Sequence, residues 1–125
     1  MIYYTLNKET GIVETTFEGE ISSQEMIEYI NSVREDKELP QTLRIFSDAT
    51  RAKLKERFGI KNLKQFLKEN KFMLEQKEFV YDGFLISKPF ETALVMLYKE
   101  FNKFENYRVN VFSTKGAAIT WLKQF

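Results

Sequence analysis

The strongest constraint on this chain is a change in the period of its apolar residues. Ile2, Tyr4 and Leu6 alternate with Tyr3 and Thr5, and Val13, Thr15 and Phe17 alternate with Glu14, Thr16 and Glu18. A period of two is that of a half-buried strand. Between the two runs lies Asn7-Lys8-Glu9-Thr10-Gly11, a polar turn whose glycine accepts a positive φ. The pair therefore predicts a β-hairpin with one dry and one wet face, ended by Gly19.

From Ser22 the period lengthens. Ser22 with Glu25 fits a capping box, and Met26, Ile30 and Val33 then form one stripe of an amphipathic helix. It is expected to end near Asp36, ahead of Pro40. Leu43 to Phe46 reads as a short buried strand ending in Ser47-Asp48, and Arg51 to Phe58 as a short helical piece stopped by Gly59. Ile60, Leu63, Phe66 and Leu67 mark a longer helix reaching Gln76. Phe79 to Ile86 is apolar apart from Asp82 and Gly83, which predicts a central strand covered on both faces. Ser87-Lys88-Pro89 opens a helix striped by Ala93, Leu94, Leu97 and Phe101 and extended by Phe104. Tyr107 to Phe112 is a last strand, and Ser113 or Thr114 caps a helix carrying Ala117, Ala118, Trp121 and Leu122. The order β-β-α-β-α-β-α-β-α predicts an α/β fold: a mixed sheet of about five strands, later ones parallel, packed with about four helices.

Composition narrows the chemistry. The 125 residues fit one domain, and glycines and prolines are isolated, so residues 1–125 read as a single unit. There is no Cys, which excludes disulfides and thiolate chemistry. There is no His, which removes the usual general base and metal ligand. Any base would be Asp, Glu, Lys or Tyr, and no catalytic motif is present, so the expectation is not an enzyme. No Gly-rich phosphate loop occurs: Gly59, Gly83 and Gly116 stand alone. Glu14, Glu18 and Glu20 share a strand and its exit but mostly fill its wet face, so no metal and no cofactor are expected. No basic-then-apolar run opens the chain, and a cytoplasmic location is expected.

Three groups of residues are candidates for a site. Asp48 is expected just past the end of a parallel strand, where open α/β sheets hold ligands, with Thr50 beside it and Ser87 at a corresponding strand end. Such residues also serve ordinary capping and turns. The second group is electrostatic. The net charge is only +1, which argues against general nucleic-acid coating, but the charge is uneven. Residues 1–50 hold 4 basic and 10 acidic side chains, whereas 51–71 hold 8 basic and 2 acidic. Lys61, Lys64, Lys68 and Lys71 fall on one ridge of a helix, able to meet an anionic surface or simply to face solvent. The third is the helix from Phe90 to Phe104, apolar over a wide arc because Val95, Met96 and Tyr98 lie outside its main stripe. It is buried on two sides, or it borders a ligand cavity or a subunit interface, which leaves a homo-oligomer open.

The order of elements resembles a known family. The hairpin with Gly11 and Gly19, the capped helix at Ser22, the strand ending in Asp48, and Val109-Asn110-Val111-Phe112 followed by Ala118 to Leu122 are similar to the STAS domain superfamily, in its stand-alone SpoIIAA-like branch. The resemblance implies a mixed sheet with packed helices. It also implies a non-catalytic regulatory or binding role toward a partner protein or a small apolar or anionic ligand. Antagonists of that family carry a phosphorylated Ser in a D-S-S-G-like turn. Here Asp48-Ala49-Thr50-Arg51 and Phe58-Gly59-Ile60 follow instead, so that switch does not carry over. The alternative expectation is a peripheral binder of anionic membrane or nucleic acid through the Lys61–Lys71 ridge.

Overall fold

The structure, a computed structural model, describes residues 1–55 and 57–125. Strands β1 (Ile2–Asn7) and β2 (Ile12–Ile21) form the expected hairpin. Asn7 Oδ1 accepts the backbone N–H groups of Glu9 and Thr10, and Gly11 closes the turn at φ +74°. A side chain at Gly11 would be strained by that φ and would also meet Arg44 Nη2 at 2.6 Å. Helix α1 (Ser23–Glu35) starts at a complete capping box of Ser22 and Glu25 and ends at Asp36. There follow β3 (Thr42–Leu54), α2 (Ile60–Leu74), β4 (Phe79–Leu85), α3 (Pro89–Phe101), β5 (Tyr107–Phe112) and α4 (Lys115–Leu122).

The sheet order is β1-β2-β3-β4-β5, with β1 antiparallel to β2 and every later pair parallel. That order fixes the layers. Each crossover steps to the next strand in the same direction, and crossovers share one hand, so their helices must stack on one face. The core shows it: Leu43, Ile45, Val80 and Val109 pack with Val33 of α1, Phe66 of α2 and Tyr98 of α3. α4 follows β5 and covers the opposite face. There Ala118 and Leu122 pack on Ile12 and Phe46.

The largest departure from expectation is β3. Residues 51–54 continue the strand instead of forming the expected helical piece, whose remainder includes Glu56, outside the described residues. β2 supplies the reason. Nine of its ten residues pair with β3, all but Phe17 and up to Ile21 with Leu54, and these ladder bonds outweigh local helical preference. The register slips between Thr16–Asp48 and Glu18–Arg51, so β3 carries a bulge. The bulge shifts the alternation: Ile45 faces the three-helix layer before it, and Ala52 and Leu54 face the same way after it. α3 ends at Phe101, short of Phe104, because Asn102 turns the chain. Its Nδ2 donates to the Tyr107 carbonyl and its Oδ1 accepts the Phe104 N–H.

Candidate functional site

Between the sheet and helices α1 to α3 lies a cavity of about 130 Å³. Its floor is built by strand alternation. Val80, Asp82 and Phe84 project one way from β4, with Ile86 just past its end, beside Ile45 of β3 and Tyr107 of β5. Its roof comes from the helices: Met26 and Tyr29 from α1, Phe66 and Asn70 from α2, Leu94 and Tyr98 from α3. The wide apolar arc of α3 thus has a use on its inner side. Its outer side leaves Phe90, Met96 and Leu97 exposed.

One end of this apolar space is polar. Asp82 is 6% exposed and lines the cavity. Ser47, fully buried on β3, donates its hydroxyl to Asp82 Oδ1 at 2.7 Å. Burial pushes the Asp82 carboxyl up to about 7, with partial relief from the Ser47 hydrogen bond. Asn70 Nδ2 donates to the Tyr98 hydroxyl at 2.6 Å, and the Tyr98 and Tyr107 hydroxyls lie 3.1 Å apart. Tyr29 shares a hydrogen bond with Thr15 at 2.8 Å. Burial raises the hydroxyls of Tyr29, Tyr98 and Tyr107 far above the ordinary tyrosine range, and the nearby Asp82 charge adds to it. These phenols therefore act as neutral hydrogen-bonding groups. Among the described residues that line the cavity, none is basic.

The cavity reaches the surface near the start of α3. Leu54 and Glu91 line both the cavity and a shallow outer groove that also involves Lys53, Lys55, Arg57 and Phe90. The basic groups stay on the outer side of that mouth.

The residues singled out from the sequence sit elsewhere. Asp48 lies within β3, not past its end, because the strand runs on to Leu54. Asp48 Oδ1 accepts the Thr50 N–H at 3.0 Å and the Thr50 hydroxyl at 2.6 Å, which ties the bulge together. Neither residue lines the cavity. Ser87 is exposed and precedes Lys88, the N-cap of α3. Lys61, Lys64 and Lys68 are exposed on α2. Lys64 and Lys68 share a groove with Phe101 and Lys103 beside the end of α3, with Lys64 Nζ 5.7 Å from the Phe101 ring centre. Sequence reading passed over Asp82 as an interruption in an apolar strand. That lone acid was the available signal: an ionisable residue on a central strand must either find a partner or shift its proton affinity.

No family model and no curated protein matches the chain. Among solved structures it is similar to an uncharacterized DUF3478-family protein from Shewanella loihica PV-4 with a SpoIIAA-like fold. The TM-score is 0.61 at 12% identity, over 98% of this chain and 92% of that one. The fold expected from the sequence resemblance is thus the fold found: the chain is a five-stranded mixed sheet with four helices, arranged in the SpoIIAA-like manner.

Proposed function

We propose that the protein is a non-catalytic binding module that holds a small apolar ligand in the cavity under α3. The observation that carries this reading is the cavity itself, apolar along its walls and closed at one end by hydrogen-bonding groups around Asp82. That is the usual makeup of a small-molecule site. Its phenols keep their protons into alkaline pH, which suits them to orienting a ligand rather than exchanging protons with it. Toluene is the simplest test, being apolar and lacking a head group. Added to isotopically labelled protein, it is expected to shift the amide signals of Leu94, Tyr98 and Asp82, residues that line the cavity. Val95→Trp, which fills the space from α3, is expected to weaken that binding at least tenfold while leaving the circular dichroism unchanged. Absence of binding to the unaltered protein would sink the reading.

A second reading rests on the outer face of α3. Its exposed Phe90, Met96 and Leu97 are flanked at one end by Lys53, Lys55 and Arg57 and at the other by Lys64, Lys68 and Lys103. Arg57 lies 5.8 Å from the Phe90 ring centre, so cations border the apolar stripe directly. An apolar helix face with a basic rim suits an anionic membrane surface. Cosedimentation with phosphatidylglycerol vesicles is expected, weakening with added salt and falling several-fold in Lys64→Glu with Lys68→Glu. Equal binding by the double variant, or equal binding to phosphatidylcholine, rules this out.

A further inference from the structure

We propose that the ligand of the cavity is a small apolar amine, bound as its ammonium with the cationic head against Asp82 and its apolar body among the side chains of α1, α2 and α3. The proposal rests on the ligand-binding reading above and names the chemistry of that ligand.

The first argument is an unbalanced charge. Asp82 is more than nine-tenths buried and borders an open space, and its hydrogen bond comes from a neutral group, Ser47. Buried carboxylates are normally paired with a cation. Ser47 from β3 bonds to this carboxyl, Tyr29 from α1, Tyr98 from α3 and Tyr107 from β5 lie close enough to feel its charge, and Asn70 from α2 and Glu91 from α3 line the same cavity. None carries a positive charge. The nearby cations are engaged or outside: Lys88 Nζ donates to the Ala52 carbonyl at 2.8 Å, and Lys53, Lys55 and Arg57 line the outer groove. Among the described residues that line the cavity none offers Asp82 a counter-charge, and once the carboxyl is ionised a ligand can bring one.

The second argument is the shape of the head-group end. An ammonium offers three N–H donors and no acceptor. Around Asp82 it meets a carboxylate and phenol oxygens. Tyr29, Tyr98, Tyr107, Phe17 and Phe84 add aromatic walls to the same cavity, and ring faces attract a desolvated cation. A ligand carboxylate would meet the reverse, a second negative charge beside Asp82 with no basic side chain to offset either. A neutral alcohol would form hydrogen bonds but leave the Asp82 charge unpaired.

The third argument is size. The space is about 130 Å³, and an apolar cavity of about 150 Å³ holds a benzene molecule. One six-membered ring is therefore the largest apolar body the space takes without adjustment, and benzylamine, a single ring on a one-carbon amine arm, is a suitably small test compound. Benzyl alcohol and benzoate match its shape with a neutral and an anionic head.

Calorimetric titration of the full chain with the three compounds at pH 8 and at pH 5.5 decides the matter. Benzylamine is expected to bind at least tenfold tighter than benzyl alcohol at pH 8, with no measurable binding of benzoate. Because the ammonium pairs with the ionised form of Asp82, its affinity is expected to fall about tenfold per pH unit below 7. Asp82→Asn is expected to erase both the preference for the amine and its pH dependence. Ser47→Ala keeps the acid but removes a hydrogen bond that favours its ionised form, so the midpoint of the pH profile should move up. Three results would overturn the proposal: benzyl alcohol binding as tightly as the amine, benzoate binding, or amine affinity unchanged in Asp82→Asn. If benzyl alcohol alone binds, and Val95→Trp abolishes it, the cavity remains a ligand site and only the amine is wrong. If toluene also fails, the cavity reading falls with it.

Discussion

Asp82 holds the most expensive position in the fold for its chemistry, a central strand at the wall of an apolar cavity. Its carboxyl is neutral in the folded chain up to about pH 7, but ionises near pH 4 once unfolded. Below pH 4 both states carry the proton and the group leaves stability unaffected. Between pH 4 and 7 unfolding releases a proton, so stability falls as the pH rises. Above 7 the loss is complete and constant. Asp82→Asn lacks this term and still offers an acceptor to Ser47. Urea unfolding at a series of pH values is expected to show the variant matching the parent below pH 4 and exceeding it by on the order of 3 kcal/mol at pH 8. A difference that does not change with pH would contradict the buried-acid assignment.

At the scale of elements, what matters is which strand positions face which layer. Gly83 follows Asp82 and so faces α4. A methyl group there would lie 3.4 Å from Phe112 Cε2 and 3.6 Å from Trp121 Cε3. Gly83→Ala should therefore be nearly neutral, since those are ordinary contacts and the strand loses a flexible residue. Gly83→Val adds bulk that α4 must accommodate by moving, and about 1–3 kcal/mol of stability should be lost. Trp121 is the only tryptophan, so its emission reports the shift directly. Equal stability of the two variants would show that α4 packs more loosely than the ring geometry implies. The β3 bulge belongs to the same scale. Asp48 and Thr50 hold it, and it keeps Ala52 and Leu54 facing the cavity beyond the slip in register.

For the molecule as a whole, three helices share one face and one helix covers the other. The layers are not equally secured. β3 and β4 are internal strands with partners on both sides, whereas α3 fully buries only Tyr98. Opening of α3 should therefore precede opening of the sheet, and it would widen the mouth between Leu54 and Glu91. Native-state hydrogen exchange is expected to show β3 and β4 amides exchanging only through global unfolding. The α3 amides should exchange faster, by at least tenfold, and gain protection when the cavity is filled. Uniform protection across α3 and β4 would mean that α3 does not act as the moving wall.

The sequence by itself determined the elements and their order. Period-two runs, the Ser22–Glu25 cap, Pro89 and the turn at Gly11 act locally, within a few residues, and each is where it was expected. Given strands and helices in that order, the rule of crossover handedness leaves little freedom in topology. Length and facing of β3 were decided by pairing with β2, an interaction across some thirty positions that no local pattern records. The cavity was decided the same way. Asp82, Ser47, Tyr98, Tyr107 and Asn70 come from five elements, and only packing those elements together places one acid and four neutral polar side chains in an apolar space. Local propensity acts through the backbone, but a site is a meeting of side chains distant in sequence, so tertiary structure alone could reveal it.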